Sequence, residues 1–262
     1  MDSNHGARPL ILVSNDDGVN APGIAALAEA MVRLGDVYVV APLLEQSAVG
    51  HAITLRDPVR AFPVDASMGG ATRVYGVQGT PADCVKLAVR ELLPREPDLV
   101  VSGINRGANT ALNVIYSGTV SAATEAAILG IDAVAVSLCD WDAHDYEASQ
   151  EIAFIVAEKV LEQGLPPGIL LNVNIPPLPL SSIKGMLVTR QAHSRWRESF
   201  DQRVDPNNRP YYWMTGTFVN LDEGQNTDIA AVQSGHVSVT PMHYDLTAHD
   251  FLAPLSEWNW NR

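Results

Sequence analysis

From residue 9 to residue 177, the sequence alternates short apolar runs with longer segments of helical periodicity. The apolar runs predict strands over 9–14, 36–41, 73–77, 98–102, 132–137 and 168–177. Between the first two strands, apolar residues recur on one helical face at Ile24, Leu27, Met31 and Leu34. Further helices are predicted to open at Thr80 and to cover 117–129 and 146–163. This alternation predicts a mostly parallel central sheet covered on both faces, a Rossmann-like three-layer α/β sandwich.

The last third of the chain does not continue this alternation. The sequence Asp-Pro-Asn-Asn at 205–208 is a strong turn signal, and alternating strand patterns lie on both sides of it. We therefore predict a protruding C-terminal β-hairpin, an arm that packs on another subunit. The expected organisation is a single domain over 1–262, with a core of about 8–177 and a segment 178–262 that holds the arm and the C-terminus.

Charge and composition exclude several classes of function. The formal net charge of −13 argues against a protein that coats nucleic acid, which would need a basic surface. No window approaches the ~18–20 apolar residues of a membrane span, and the N-terminal stretch lacks the basic and apolar regions of a secretory signal. Cys84 and Cys139 have no metal-binding spacing. These features predict a cytoplasmic protein that uses neither nucleic acid nor a membrane as a partner.

Three of the predicted strands end in small polar residues. The first runs into Asn-Asp-Asp-Gly at 15–18, the second is followed by a loop with Ser47, and the fourth leads to Asn105 and Asn109. Ligands of parallel α/β sheets bind beyond the carboxyl ends of the strands, so we expect these loops to meet at one edge. Their carboxylate, hydroxyl and amide oxygens suit Mg²⁺ or Mn²⁺ rather than zinc. The alternative for 15–18 is a strand-ending turn.

A further polar motif, Ser117-Gly118-Thr119, precedes a predicted helix. Amides and hydroxyls at the positive end of a helix form a natural phosphate cradle. The alternative is an ordinary helix N-cap by Ser117 or Thr119. The sequence contains no P-loop, no G-x-G-x-x-G after the first strand and no G-x-S-x-G, which argues against NTPases, dinucleotide enzymes and α/β-hydrolases.

In combination, these motifs closely resemble those of the SurE family of stationary-phase survival proteins, which act as 5′/3′-nucleotidases. The matching stretches occur in family order and include SNDDGVNAPGI, GTPADCVKL, VSGIN, VIYSGTVSAATEA, LNVNIPP and DPNNRPYYWMTG. The resemblance extends from about residue 9 to residue 247. It implies hydrolysis of nucleoside 5′- and 3′-monophosphates, possible use of short polyphosphate, one divalent cation (Mg²⁺ or Mn²⁺) per subunit, and a homodimer or homotetramer with exchanged C-terminal arms.

The resemblance also implies the roles of individual residues. The implied metal ligands are Asp16, Asp17, Ser47 and Asn105. The predicted catalytic residues are Asp16, Asp17, Asn109, Ser117 and Thr119. The predicted substrate and phosphate contacts are Asn15, Gly18, Gly50, His51, Asn109, Ser117, Gly118 and Thr119. The chain differs from the common family pattern at Ala48, at His51 (where Asn is usual) and at 111–113, which bears on substrate preference.

The expected reaction is phosphomonoester hydrolysis by a metal-activated water, with Asn15 orienting an aspartate or that water. Whether an aspartate also acts as base or nucleophile stays open at this point. The alternatives are an exopolyphosphatase or general acid-type phosphomonoesterase, a non-catalytic nucleotide-binding regulator, a DxD-type glycosyltransferase and a purely structural oligomer. The alternative for His51 is a loop histidine that only donates to the backbone.

Overall fold

The computed structural model describes residues 8–64 and 68–260, so residues 1–7 and 261–262 of the predicted domain lie outside the described residues. Its centre is a nine-stranded sheet in the order β3-β4-β2-β1-β5-β6-β7-β11-β8. The strands are β1 (Leu10–Ser14), β2 (Asp36–Pro42), β3 (Arg60–Pro63), β4 (Arg73–Gln78), β5 (Leu99–Arg106), β6 (Ala133–Leu138), β7 (Ile169–Ile175), β8 (Met186–Val188), β9 (Ser194–Val204), β10 (Pro210–Asn220) and β11 (Val237–His243). Strands β9 and β10 form a separate hairpin.

The sheet is mostly parallel, as predicted. Strands β4, β2, β1, β5, β6 and β7 pair in parallel, whereas β3 and β11 are antiparallel to β4 and β7. Strands β8 and β11 come from the segment 178–262, so the sheet extends beyond the core boundary predicted at residue 177. The sequence did not reveal β11 because Pro241 interrupts it. Strand β8 pairs only with Val237–Val239 of β11. Pro241 therefore lies where β11 has a single neighbour, β7, and the N–H that proline lacks is not needed for a second one.

Helices cover both faces of the sheet. They are α1 (Pro22–Val32), α2 (Pro81–Leu87), α3 (Gly118–Ile128), α4 (Glu147–Gln163), α5 (Asp228–Gln233) and α6 (His249–Ser256). Apolar residues of α1 and α4 pack on one face of the sheet, and those of α2 and α3 pack on the other. The three-layer α/β prediction is therefore confirmed. Leu34, predicted on the apolar face of α1, lies beyond the end of that helix. None of the described helices is long and apolar enough to cross a bilayer.

The predicted C-terminal hairpin is also present. Its two strands pair over eleven residues each, and the turn lies at 205–208. Asp205 fixes this turn because its carboxylate accepts hydrogen bonds from the backbone N–H groups of Asn207 and Arg209. Large apolar side chains on both strands are exposed, among them Phe200, Tyr212, Trp213 and Met214. That this hairpin packs on another subunit stays a prediction.

Candidate active site

The three polar loops lie at one edge of the sheet. Strands β2, β1 and β5 are parallel neighbours, so their carboxyl ends point the same way. The backbone N–H of Gln46, beside Ser47, donates to the Asp16 carbonyl at 2.7 Å. The backbone N–H of Arg106, beside Asn105, makes a long contact of 3.4 Å to Asp17 Oδ2. The prediction that these loops converge is therefore confirmed.

Asn15 and Gly18 shape the turn that presents the two aspartates. The buried Asn15 amide donates to the Gly18 carbonyl at 2.9 Å and accepts from the Gly18 N–H at 3.2 Å. Gly18 has φ +99, a conformation that residues with a Cβ rarely adopt. The Asn15 side chain is thus committed to the turn. That Asn15 also orients an aspartate or a water stays a prediction.

Asp16 is buried against the N-terminus of α3. Its Oδ1 accepts a hydrogen bond from the Thr119 hydroxyl. A methyl group at Gly118 would lie 2.6 Å from Asp16 Cβ and 2.8 Å from Oδ2, so only glycine allows this approach. Burial raises the pKa of Asp16, because desolvation outweighs the hydrogen bonds from Thr119 and from the backbone at 118 and 119.

Asp17 is less buried than Asp16, but its ionised form is also disfavoured. Burial, the charge of Asp16 and the charge of Glu45 raise its pKa to about 6, against the opposing effect of Arg106. The repulsion expected from adjacent carboxylates is therefore present. A dication placed against Asp16 and Asp17 would stabilise both ionised forms.

Asn105 is positioned by a bulge in β5. The pairing of β5 with β6 shifts register between Ser102 and Asn105. Gly103 permits this shift, since it has φ +138 and a Cβ there would lie 2.3 Å from the Val136 carbonyl oxygen.

The orientation of the Asn105 amide follows from its partners. Its Nδ2 donates to the carbonyls of Arg106 (3.1 Å) and Gly107 (2.8 Å). Carbonyls only accept, so these bonds assign the nitrogen. Within 8–64 and 68–260, no donor reaches Asn105 Oδ1. This oxygen is the atom that a cation would use.

The hydroxyl of Ser47, the fourth predicted ligand, is engaged by a neighbouring carboxylate, and its role as a metal ligand stays a prediction. Ser47 is exposed, and its Oγ donates to Glu45 Oε1 at 2.7 Å. Across the described residues, no group of three or more His, Cys, Asp or Glu side chains could hold a metal. The donors at this edge are instead two carboxylates and neutral oxygens. Such a set suits Mg²⁺ or Mn²⁺, which keep water and phosphate oxygens among their ligands.

The Ser-Gly-Thr motif provides an ordinary helix N-cap, the alternative considered for it, at Ser117. Ser117 is the N-cap of α3, because its Oγ accepts from the Val120 N–H at 3.1 Å. Thr119 is fully buried and its hydroxyl is committed to Asp16. Phosphate contacts by Ser117, Gly118 and Thr119 stay a prediction.

Asn109 is fixed by hydrogen bonds to a group of buried polar side chains. Its Nδ2 donates to Ser137 Oγ at 2.9 Å, and its backbone N–H donates to Asn174 Oδ1 at 2.8 Å. The Asn109 carbonyl accepts from the side chains of Asn172 (2.8 Å) and Asn174 (3.2 Å). Sequence reasoning missed these two residues, although asparagines at alternate positions of an apolar strand were a usable signal. Substrate contact by Asn109 stays a prediction.

His51 contacts a buried carboxylate rather than the backbone. Its Nε2 lies 2.9 Å from Glu125 Oε2, and Lys86 Nζ donates to Glu125 Oε1 at 2.5 Å. Burial would raise the pKa of Glu125, but the hydrogen bonds from His51 and Lys86 outweigh it and lower that pKa.

The adjacent Gly50 N–H donates to the Tyr116 carbonyl at 3.2 Å. The loop that carries Ser47 is thereby attached to α3. Sequence reasoning missed Glu125 and Lys86.

Comparison with known proteins gives one consistent family. The family model described as "Survival protein SurE" matches residues 11–198. The chain is 52% identical to the 5′-nucleotidase SurE of Christiangramia forsetii, over 97% of this chain and 98% of that protein. It is 49% identical to the 5′-nucleotidase SurE of Syntrophobacter fumaroxidans, over 95% and 99%. The crystal structure of the SurE protein from Aquifex aeolicus superposes with a TM-score of 0.82 at 41% identity, covering 95% of this chain and 98% of that one.

Proposed function

The chain belongs to the SurE family, and we propose that it is a metal-dependent nucleotidase that hydrolyses nucleoside 5′- and 3′-monophosphates to nucleoside and inorganic phosphate. The observation that carries this proposal is the pair Asp16-Asp17 at the carboxyl edge of the sheet, with the pKa of both raised and with Asp16 against the N-terminus of α3. The 5′-nucleotidase names of relatives about 50% identical support the reaction class.

Asp16, Asp17 and Asn105 would hold the cation, each through an oxygen. Ser47 would complete the set by turning its hydroxyl away from Glu45, which its exposed position allows. One Mg²⁺ or Mn²⁺ per subunit would neutralise the phosphate charge and lower the pKa of a water. The Asn15–Gly18 turn and the Asn105 amide contacts fix the protein oxygens before any ligand arrives.

The phosphate is expected between the aspartates and the start of α3. The first amides of a helix lack intrahelical partners and carry partial positive charge, so they stabilise the charge that develops on the phosphoryl oxygens. Gly118 and Thr119 supply such amides, which also stabilise the Asp16 carboxylate, with the Ser117 and Thr119 hydroxyls beside them. Asn109 is expected to contribute a further contact to the phosphoryl oxygens. Gly50 and His51 are expected at the rim.

We also propose a homodimer or homotetramer with exchanged C-terminal arms. The exposed apolar side chains of the hairpin, including Phe200, Trp213 and Met214, support this assembly. We place the activity in the cytoplasm, whose reducing conditions suit the two unpaired thiols, Cys84 and Cys139.

Release of inorganic phosphate tests the proposed function. The purified chain is mixed with 5′-AMP, 5′-GMP, 3′-AMP or short polyphosphate, across a titration of Mg²⁺ and Mn²⁺ and with a chelator. We expect phosphate from the monophosphates with either metal and none with the chelator. Binding of metal without phosphate release would instead indicate a non-catalytic regulator. Release from polyphosphate alone would indicate an exopolyphosphatase.

A further inference from the structure

The loop after β6 brings an aromatic side chain to the same edge of the sheet. Strand β6 is the parallel neighbour of β5, so its carboxyl end lies beside the loop of Asn105. Trp141 follows β6 and is 74% exposed. The turn beneath it is closed by the Asp142 N–H, which donates to Asp140 Oδ1 at 3.0 Å. The tryptophan is thus held on a short, hydrogen-bonded turn.

The indole ring lies over the backbone of Gly107. A methyl group at Gly107 would lie 2.6 Å, 2.7 Å and 2.8 Å from three atoms of the Trp141 ring, so the ring rests on this glycine. The Gly107 carbonyl accepts from Asn105 Nδ2, and its N–H donates to the Leu138 carbonyl. One face of the indole is therefore fixed on the residue that orients the candidate metal ligand, and the exposure of Trp141 leaves the other face to solvent.

Chain connectivity keeps this ring close to the candidate metal site. Gly107 is two residues from Asn105, which limits the separation of their Cα atoms to about 7 Å. In a nucleoside monophosphate, a single sugar ring separates the phosphate from the base. A phosphate held at Asp16 and Asp17 would therefore leave its base within reach of Trp141.

One further group of the same region has unused hydrogen-bonding capacity. The Tyr146 hydroxyl, at the end of this loop, is buried and has no hydrogen-bond partner among the described residues. Asp17 and Arg106 lie close enough to affect its charge state. The acidic neighbours Asp140 and Asp142 disfavour a second anion beside Trp141. A planar, uncharged group is the ligand that these surroundings fit.

We propose that the exposed face of Trp141 is the nucleobase subsite, a stacking surface that selects nucleotides over phosphomonoesters without a base. This inference rests on the proposed function. Base–aromatic stacking tolerates every base, because each base has a flat π-face. The subsite therefore accounts for selection of nucleotides as a class, with little discrimination among bases.

Three substitutions at one position separate stacking from packing. Trp141→Phe keeps an aromatic face, whereas Trp141→Leu keeps apolar cover over Gly107 without that face, and Trp141→Ala removes both. Each variant is assayed with AMP and with ribose 5-phosphate, the latter as a competitive inhibitor if it is not hydrolysed. We expect the KM for AMP to rise about tenfold in the Leu and Ala variants, and much less in Phe. The kcat for AMP and the constants for ribose 5-phosphate should stay near wild type.

Fluorescence gives a second readout that needs no turnover. Adenosine titrated into the wild type should quench indole emission excited at its red edge, and Trp141→Phe should abolish that quenching while retaining the KM. Equal losses for AMP and ribose 5-phosphate, or unchanged quenching in Trp141→Phe, would overturn the subsite. A wild type that releases phosphate from neither compound would overturn the proposed function instead, so the two failures are distinguishable.

Discussion

Gly118 is the residue on which the position of Asp16 depends most directly. A methyl group there would lie 2.6 Å from Asp16 Cβ, so Gly118→Ala must displace the carboxylate. Because a misplacement of about 1 Å can cost about 100-fold in rate, we expect kcat for AMP to fall by about that factor. Steady-state kinetics with Mn²⁺ measures this loss.

The other end of α3 offers a control for this substitution. Gly130, just beyond α3, has φ +84, which strains alanine at that position, but nothing lies within 4 Å of an added methyl. Gly130→Ala should therefore lower stability and leave kcat unchanged. Equal kcat in Gly118→Ala and wild type would contradict the placement of Asp16 at the start of α3.

The pH dependence of stability tests the contacts of Glu125 with His51 and Lys86. The pKa of Glu125 lies below the ordinary 4.5 because His51 and Lys86 stabilise the anion, so its contribution to stability is present above pH 4.5 and is lost as the pH falls through the folded pKa. We expect Glu125→Gln to lower the free energy of unfolding by about 1–2 kcal/mol at neutral pH. The difference from wild type should shrink below pH 4.5.

Urea unfolding across this pH range measures the effect. Glu162→Gln, which removes an exposed ion pair with Lys159 on α4, is the control and should change stability little. A difference between wild type and Glu125→Gln that grows on acidification would refute the assigned ion pair.

Sequence reasoning succeeded for residues whose place follows from strand ends. Asp16 and Asp17 follow β1, and Asn105 lies near the carboxyl end of its parallel neighbour β5, so this topology alone brings them to one edge. It could not give the hydrogen bond from the Ser47 hydroxyl to Glu45, or the carboxylate partner of His51, which is 74 residues away in sequence. Both depend on loop rotamers and long-range contacts that leave no periodic signal.

At the scale of elements, the start of α3 combines structural and functional roles. Ser117→Ala removes an N-cap and should cost about 1 kcal/mol of stability. Thr227→Ala, at the N-cap of α5, should cost a similar amount. Only the Ser117 variant should also lose phosphate-releasing activity, because only α3 faces the aspartates. Thermal unfolding and kinetics of both variants check this, and equal activity of the pair would mean that Ser117 acts as a cap alone.

The elements that the sequence revealed are those buried on both sides. Strands β1, β5 and β6 are buried along nearly their whole length, begin with apolar runs, and were predicted within one residue at their starts. Strands β3 and β8 were missed because they lie at the sheet edges, where most of their side chains are exposed and no apolar run is needed. Helices α5 and α6 were missed because neither opens with a cap residue followed by proline, the signal that revealed the similarly short α2.

For the whole molecule, the hairpin is the feature that the single chain does not explain. Its strands expose Phe200, Tyr212, Trp213 and Met214. Exposed apolar surface of this kind is unfavourable in water unless a second subunit covers it. We expect deletion of 200–215 to lower the oligomeric state while the α/β core stays folded. Light scattering and circular dichroism measure the two effects. An unchanged oligomer would show that other surfaces hold the subunits together.

The central claim is that Asp16 and Asp17 hold a dication used for nucleotide hydrolysis. Its most direct test measures Mn²⁺ binding and phosphate release from AMP on the same preparations of wild type, Asp16→Asn and Asp17→Asn, with Glu162→Gln as the control. We predict one Mn²⁺ per chain and activity in wild type and control, and loss of both in the two folded Asn variants. Wild-type binding and turnover in Asp16→Asn would contradict the claim, and its failure to fold would favour a purely structural turn.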